Sequence, residues 1–424
     1  MSRASGCNPE LEPIDLIAKS TLVGRVGRLA LSAGHGSYRV KSHMQRVGTA
    51  LGLDEVSSNV TLTQLTATSK CGPIFRTQVM ENRAIAVNAD RLSELEKYIA
   101  SLPAQASVEQ ISAGIDRIVS RRPIYPRWVH AVSAGFACAA FAFLSGGGPI
   151  ECAMVLVAAA LGQFTQGSLL RRGLNHLGVT MLAAAVVSLI YLGLVAVVES
   201  ALTSPGQFVA GYVAAVLFLV PGFPLVTGSL DLARLDLNAG ISRVTYALLV
   251  LGSAALALWV VSTALGVAPD PMDSLTLAPH LWWSLRVVAS FIAVLGFAFI
   301  FNSPPRMAAG AAVIGTVANM ARLVLLDVVH WSPQISAAMA ALLVGLLARA
   351  LAPRLGVPRL TVSVPAVVIM VPGLWAYQAV FEFNEGNVVD ALSFSVQAAL
   401  VVISLAGGLA VARMLTDRDW AFDD

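Results

Sequence analysis

The stretch Val220-Pro221-Gly222-Phe223-Pro224 interrupts an apolar run that extends from Phe208 to Leu230. Two prolines and a glycine in mid-span cannot sit in a regular helix. Each proline removes a backbone donor and clashes with the preceding turn, and lipid offers nothing to replace the lost bond. Such a break persists only where neighbouring protein, or water in a cavity, satisfies the freed groups. Val371-Pro372-Gly373 repeats the device 151 positions later, and the same offset pairs Asp231 with Glu382, Ser242 with Ser393 and Ser253 with Ser404. Two interrupted membrane segments at matching places in two halves mark a secondary transporter with its site near the midplane.

The composition agrees with a membrane location. Of 424 residues, 56% are hydrophobic and only 12% charged, and the mean hydropathy is +0.73. Soluble globular chains carry about 25% charged residues. All four lysines, Lys19, Lys41, Lys70 and Lys97, precede residue 100, whereas most long apolar runs follow Arg127. Composition thus separates a polar domain, 1–127, from a membrane part. A net charge of +3 is too small to argue for nucleic acid. Cys7, Cys71, Cys138 and Cys152 have no metal-ligand spacing and read as reduced thiols. No metal or cofactor is expected. Met1–Pro13 lacks the apolar core of a cleaved signal peptide.

Residues 1–127 read as a small α+β domain. Ile14–Ser32 is an amphipathic helix stopped by Gly34 and Gly36, and Ser37–Leu51 is a second helix. Val56–Thr68 alternates as a strand, with Ile74–Met80 as its hairpin partner. Asp90 and Ser107 are expected to cap two further helices. His35 and His43 read either as solvent-facing or as marking a site on this domain.

Ten apolar spans follow, near 128–146, 150–169, 174–198, 206–230, 241–266, 281–302, 306–326, 333–352, 360–381 and 391–414. Each is close to the roughly 20 residues a bilayer requires. With the N-terminal domain in the cytoplasm, the inner connections hold Arg171/Arg172, Arg234/Arg243, Arg306, Arg349/Arg354/Arg359 and Arg413/Arg418, and the outer loops hold neither Lys nor Arg. This positive-inside pattern places both termini in the cytoplasm. Five spans per half is an odd number, so the second half repeats the first upside down. The expected fold is a membrane all-α bundle of about ten transmembrane helices in two inverted five-helix repeats, 128–270 and 271–424, behind a small cytoplasmic α+β domain.

The breaks supply the first candidate groups. Amides and carbonyls freed around Pro221, Gly222, Phe223 and Pro224, and around Pro372 and Gly373, can grip a carboxylate or an ammonium group. Thr227, Tyr377 and Gln378 can read a hydroxyl; the plainer reading of the last two is helix–helix hydrogen bonding. Asn319 and Arg322 follow a small-residue stretch, Ala308–Gly315. Arg322 lies against the arginine bias and wants a carboxylate partner, Asp327 or Glu382, or an anionic ligand. Asp231, Glu382 and Asp327 are the candidate proton carriers, since an ionisable group at membrane depth is a functional hypothesis by default. For Glu382 the alternative is a solvated loop carboxylate. Arg234, Asp236 and Arg243 read more simply as charges at a helix end. Asn175 and Asn302 read as caps.

No nucleophile–base signature, zinc motif or Walker loop is present, so neither enzyme nor ATP-driven pump is expected. The chain resembles the threonine/serine exporter family, which also includes split two-protein relatives linked to succinate export. The resemblance spans nearly the whole chain. It rests on Ser32-Ala33-Gly34 with Ser37-Tyr38-Arg39-Val40, on Arg171-Arg172-Gly173-Leu174-Asn175, on Val220-Pro221-Gly222-Phe223-Pro224 with Asp231, on Phe301-Asn302-Ser303-Pro304-Pro305-Arg306, and on Val371-Pro372-Gly373-Leu374. It implies an exporter of small hydroxy amino acids in the cytoplasmic membrane, driven by the proton-motive force. The expected partners are a small-molecule substrate, protons and the lipid bilayer. Oligomeric state is left open, a homo-oligomer included. The rival readings are dicarboxylate export, a membrane-anchored hydrolase and a non-transporting scaffold.

Overall fold

The computed structural model describes residues 13–82, 87–201, 209–266, 277–417 and 420. The chain divides into two compact units, Met1–Ile124 with Phe223–Thr245, and Tyr125–Gly222 with Tyr246–Asp424.

In the first unit, α1 (Pro13–Ala33) and α2 (Ser37–Ala50) cover a three-stranded antiparallel sheet, β1 (Glu55–Val60), β2 (Gln64–Cys71) and β3 (Ile74–Glu81), in the order β1-β2-β3. Val23, Val26, Val40, Met44, Leu65 and Ile111 belong to one buried core. Gly34, at φ +106°, closes α1 in a conformation that other residues adopt only with strain. The alternating stretch Val56–Thr68 is two strands. Thr61 N–H donates to Gln64 O at 2.8 Å, and Gln64 N–H donates to Thr61 Oγ1 at 3.0 Å. A threonine side chain closes this turn, and no Gly or Pro announces it. α3 (Ala89–Ala100) is capped by Asn88, with Asp90 in its first turn, and α4 (Val108–Val119) carries a Ser107/Gln110 capping box.

Among the described residues, eight helices are long and apolar enough to cross a membrane: α5 (Arg127–Leu144), α6 (Pro149–Leu170), α7 (His176–Ala201), α10 (Leu237–Leu265), α11 (Pro279–Ile300), α12 (Pro305–Asp327), α13 (Pro333–Leu355) and α16 (Val388–Thr416). Two bent pairs raise the number to as many as ten. At the first the chain turns by 66° between α8 (Val209–Ala214) with its following 3-10 turn and α9 (Gly222–Ala233). At the second it turns by 49° between α14 (Arg359–Val368) and α15 (Gly373–Asn384). The order of elements therefore recurs: three long helices, a bent pair, and a helix of 29 residues. In the second unit some helices approach backbone to backbone. A Cβ on Gly296 would stand 2.6 Å from Ser133 O, and one on Gly408 would stand 2.2 Å from Ala338 O, so small residues set these helix contacts. Cys138 and Cys152 are free thiols. Cys71 is disulfide-bonded, against the expectation, because pairing follows from spatial approach and not from spacing along the chain.

Candidate functional site

Both breaks are built alike. Gly222 N–H donates to Val220 O at 2.8 Å, and Gly373 N–H donates to Val371 O at 2.9 Å. Each is a three-residue turn centred on proline, and Pro372, at φ −80° and ψ 61°, has the inverse γ-turn geometry. Proline suits the position, because the turn requires no donor from its central residue.

The breaks also touch reciprocally. A Cβ on Gly222 would lie 2.2 Å from Val368 Cγ2, and one on Gly373 would lie 3.1 Å from Leu217 Cδ1. Leu217 and Val368 are separated by the same 151 positions as Gly222 and Gly373. Residue i meets j′ while i′ meets j, which is the contact pattern of a two-fold relation.

Beside this contact is a cavity of about 40 Å³ lined by Val213, Leu217, Val220, Leu258, Gly373 and Tyr377. A water needs roughly 10–15 Å³ of such space, so the cavity accepts a few waters and is too small for an amino acid. Its walls are apolar apart from Tyr377, which is 3% exposed. The Tyr377 ring lies edge-on to Tyr212 at 6.0 Å, and the Tyr212 hydroxyl donates to Leu258 O at 2.6 Å. Gln378 is half-buried at the next position of α15.

Phe223, Pro224 and Thr227 lie in the first unit, around a second cavity of about 30 Å³ shared with His35, Asn82 and Arg243. Thr227 donates its hydroxyl to Phe223 O at 2.7 Å. Next to it, Arg243 pairs with Asp231 at 3.0 Å, both side chains almost fully buried, and donates to His35 O at 2.8 Å. Ser37, the first residue of α2, donates its N–H (3.0 Å) and hydroxyl (3.1 Å) to Asp231, so a helix N-terminus faces the carboxylate. Lys41 and Ser37 hold Asp236. Burial acts to raise the Asp236 carboxyl, but these hydrogen bonds and the Lys41 charge hold it below its ordinary value. His35 and His43 stack edge-to-face at 4.8 Å and are buried, not solvent-facing. Burial and then the Arg39 charge push His43 down to about 4, and burial with the His43 and Arg39 charges holds His35 well below 6.5. Arg234 lies 3.8 Å over the Tyr38 ring.

Asn319 and Arg322 form a third group with Ser290, all on α11 and α12. Buried Asn319 donates to Ser290 Oγ at 2.9 Å and accepts from Arg322 Nε at 3.1 Å. Asp327 pairs with Arg286, whose guanidinium also lies 4.4 Å over the Trp282 ring. The Asp327 carboxylate thus pairs with Arg286, and Arg322 is held by Asn319. Glu382 stands apart, accepting from Asn387 at 2.8 Å. Asn175 caps α7, accepting from Leu177 and Gly178.

Three participants escaped sequence reasoning. Ser37 lies 194 positions from the carboxylate it holds. Arg286 was hidden among apolar neighbours. Glu151, the third residue of α6, is 4% exposed.

A family profile described as "Putative threonine/serine exporter" matches residues 21–266, and one described as "Threonine/Serine exporter, ThrE" matches 286–415. A "Probable threonine/serine exporter" of Mycobacterium tuberculosis is 27% identical over 98% of this chain and 79% of its own length. A "Threonine/serine exporter" of Corynebacterium glutamicum is 25% identical over 96% of this chain and 86% of its own. The "Probable succinate transporter subunit YjjP" of Escherichia coli is 27% identical over 53% of this chain and 86% of its own. No solved structure matches.

Proposed function

We propose that this chain, which belongs to the threonine/serine exporter family, is a secondary-active exporter of L-threonine and L-serine that exchanges them for protons across the cytoplasmic membrane. The observation that carries this reading is the reciprocal contact of the two proline-centred breaks, Gly222 on Val368 and Gly373 on Leu217. A two-fold contact between halves of five spans each supports inverted repeats, with the small cavity beside the breaks as the place where the site opens during the cycle. The substrate sits between the breaks. Backbone freed at Pro221–Gly222 and at Pro372–Gly373 meets its carboxylate and ammonium groups, and Tyr377 or Gln378 reads the hydroxyl. Both termini lie in the cytoplasm. Among the carboxylates singled out by sequence, Asp231 is a proton carrier whose protonation would release Arg243 and Ser37; Asp327 and Glu382 are the others. Purified protein in liposomes tests the function: threonine counterflow is expected, and its absence would refute it. An Asp231→Asn variant that still exports against a gradient would remove Asp231 from the coupling.

Dicarboxylate export is the second reading. It is favoured by Arg322, which makes no ion pair among the described residues and is held by Asn319, since a guanidinium without a carboxylate partner suits a carboxylate ligand. Loss of succinate flux with threonine flux intact in Arg322→Ala would select it.

A further inference from the structure

Glu151 is the buried acid that the function above leaves unused. Its carboxylate accepts from the Tyr191 hydroxyl at 3.3 Å, from Gly148 N–H at 3.3 Å, and from Gly211 N–H in a very short bond. The chain is shaped around it. A Cβ on Gly211 would fall 2.3 Å from Tyr191 Oη and 2.7 Å from Glu151 Cγ, and one on Gly147 would fall 2.9 Å from Glu151 Oε2. Only glycine leaves room at these positions.

Every partner is a neutral dipole. α7 presents Tyr191, and α8 presents Tyr212 behind it at 6.3 Å. Cys152 follows on α6 itself, and the turn before α6 presents backbone. Arg286, on α11 beyond α5, is committed to Asp327. No ion pair to Glu151 exists among the described residues. Asp231 and Asp327 face arginines, so protonating either must break an ion pair. Protonating Glu151 breaks none.

Glu151 is also joined to the break. Gly211 lies in α8, from which the chain runs through Val213 and the 3-10 turn at Leu217 to Val220, all on the cavity wall, and the Tyr191, Tyr212 and Tyr377 rings follow one another to the same place.

We propose that Glu151 binds and releases the coupled proton, its ionised form clamping α8 to α6 through Gly211 and its protonated form releasing that half-helix. This rests on the antiport reading. A carboxylate becomes a carboxylic acid on taking one proton from water and reverts on giving it to water on the other side. A proton on Oε1, the oxygen that accepts from both Gly211 N–H and the Tyr191 hydroxyl, turns that acceptor into a donor, so its hold on Gly211 weakens.

The test uses the full chain in liposomes, with threonine counterflow at equal pH and threonine accumulation driven by a pH gradient. Glu151→Gln is expected to keep counterflow, make it independent of pH, and abolish gradient-driven accumulation. Tyr191→Phe removes one donor to the ionised form and should move the pH midpoint of wild-type counterflow upward. Gradient-driven accumulation in Glu151→Gln, or an unmoved midpoint in Tyr191→Phe, would overturn the assignment. Counterflow missing from the wild type would overturn the transport reading and this inference with it.

Discussion

Gly222→Ala gives the sharpest test of the contact between the breaks. The added Cβ would stand 2.2 Å from Val368 Cγ2. Val368 is fully buried, and its branched side chain has little rotamer freedom, so either the γ-turn or α14 must shift. Overpacking of this kind costs about 1–3 kcal/mol. Gly222 is the first residue of α9, outside the helix interior where alanine gains over glycine, so packing decides and predicts a less stable protein. Val368→Ala removes the obstacle and by itself costs about 1.6 kcal/mol, at roughly 0.8 kcal/mol per buried methylene. The double variant should therefore unfold at a temperature no lower than Val368→Ala, with a favourable coupling of about 1–3 kcal/mol in the mutant cycle. Gly373→Ala should be milder, since its Cβ meets Leu217 at 3.1 Å. Thermal unfolding of the four proteins in detergent reads the order, and threonine counterflow reads its effect on the cycle. Strict additivity of Gly222→Ala and Val368→Ala would refute the reciprocal contact.

Three further outcomes follow from the described geometry. Arg243→Ala leaves Asp231 buried without its cation and should cost roughly 3–5 kcal/mol, while Arg243→Ala with Asp231→Ala should cost less than Arg243→Ala alone; unfolding temperatures decide. His43 has a folded value of about 4 against 6.5 when unfolded, so the unfolded chain binds more protons between these limits. The stability carried by its neutral form is complete above about pH 6.5 and is withdrawn as pH falls towards 4, by roughly 3 kcal/mol; His43→Asn should flatten that dependence, and an unchanged slope would reject it. Tyr377→Phe removes the polar side chain of the cavity wall and should weaken threonine competition in counterflow by about tenfold, the scale of one lost hydrogen bond near 1.4 kcal/mol, with little change in unfolding temperature.

Much of this protein is legible along the chain. The Pro-Gly pair ends the helix at Pro221 and at Pro372, where proline lacks its donor and glycine adds freedom, whereas Pro365 alone stays inside α14. Membrane spans follow from length and hydropathy alone, and the recurrence of Pro-Gly at a fixed offset reveals two halves. What tertiary structure decided is which groups meet. Arg243 reads as an ordinary charge at a helix end, yet burial beside Asp231 makes it half of an enclosed ion pair, and Ser37 reaches that pair from 194 positions away. Asp327 pairs with Arg286 because α11 brings it there. Glu151 stands next to a turn that reads as outer loop, and only the approach of α7 and α8 seals it from water. Backbone chemistry acts between neighbours and is written in order along the chain, whereas the charge state and partner of a side chain depend on elements that folding alone brings together.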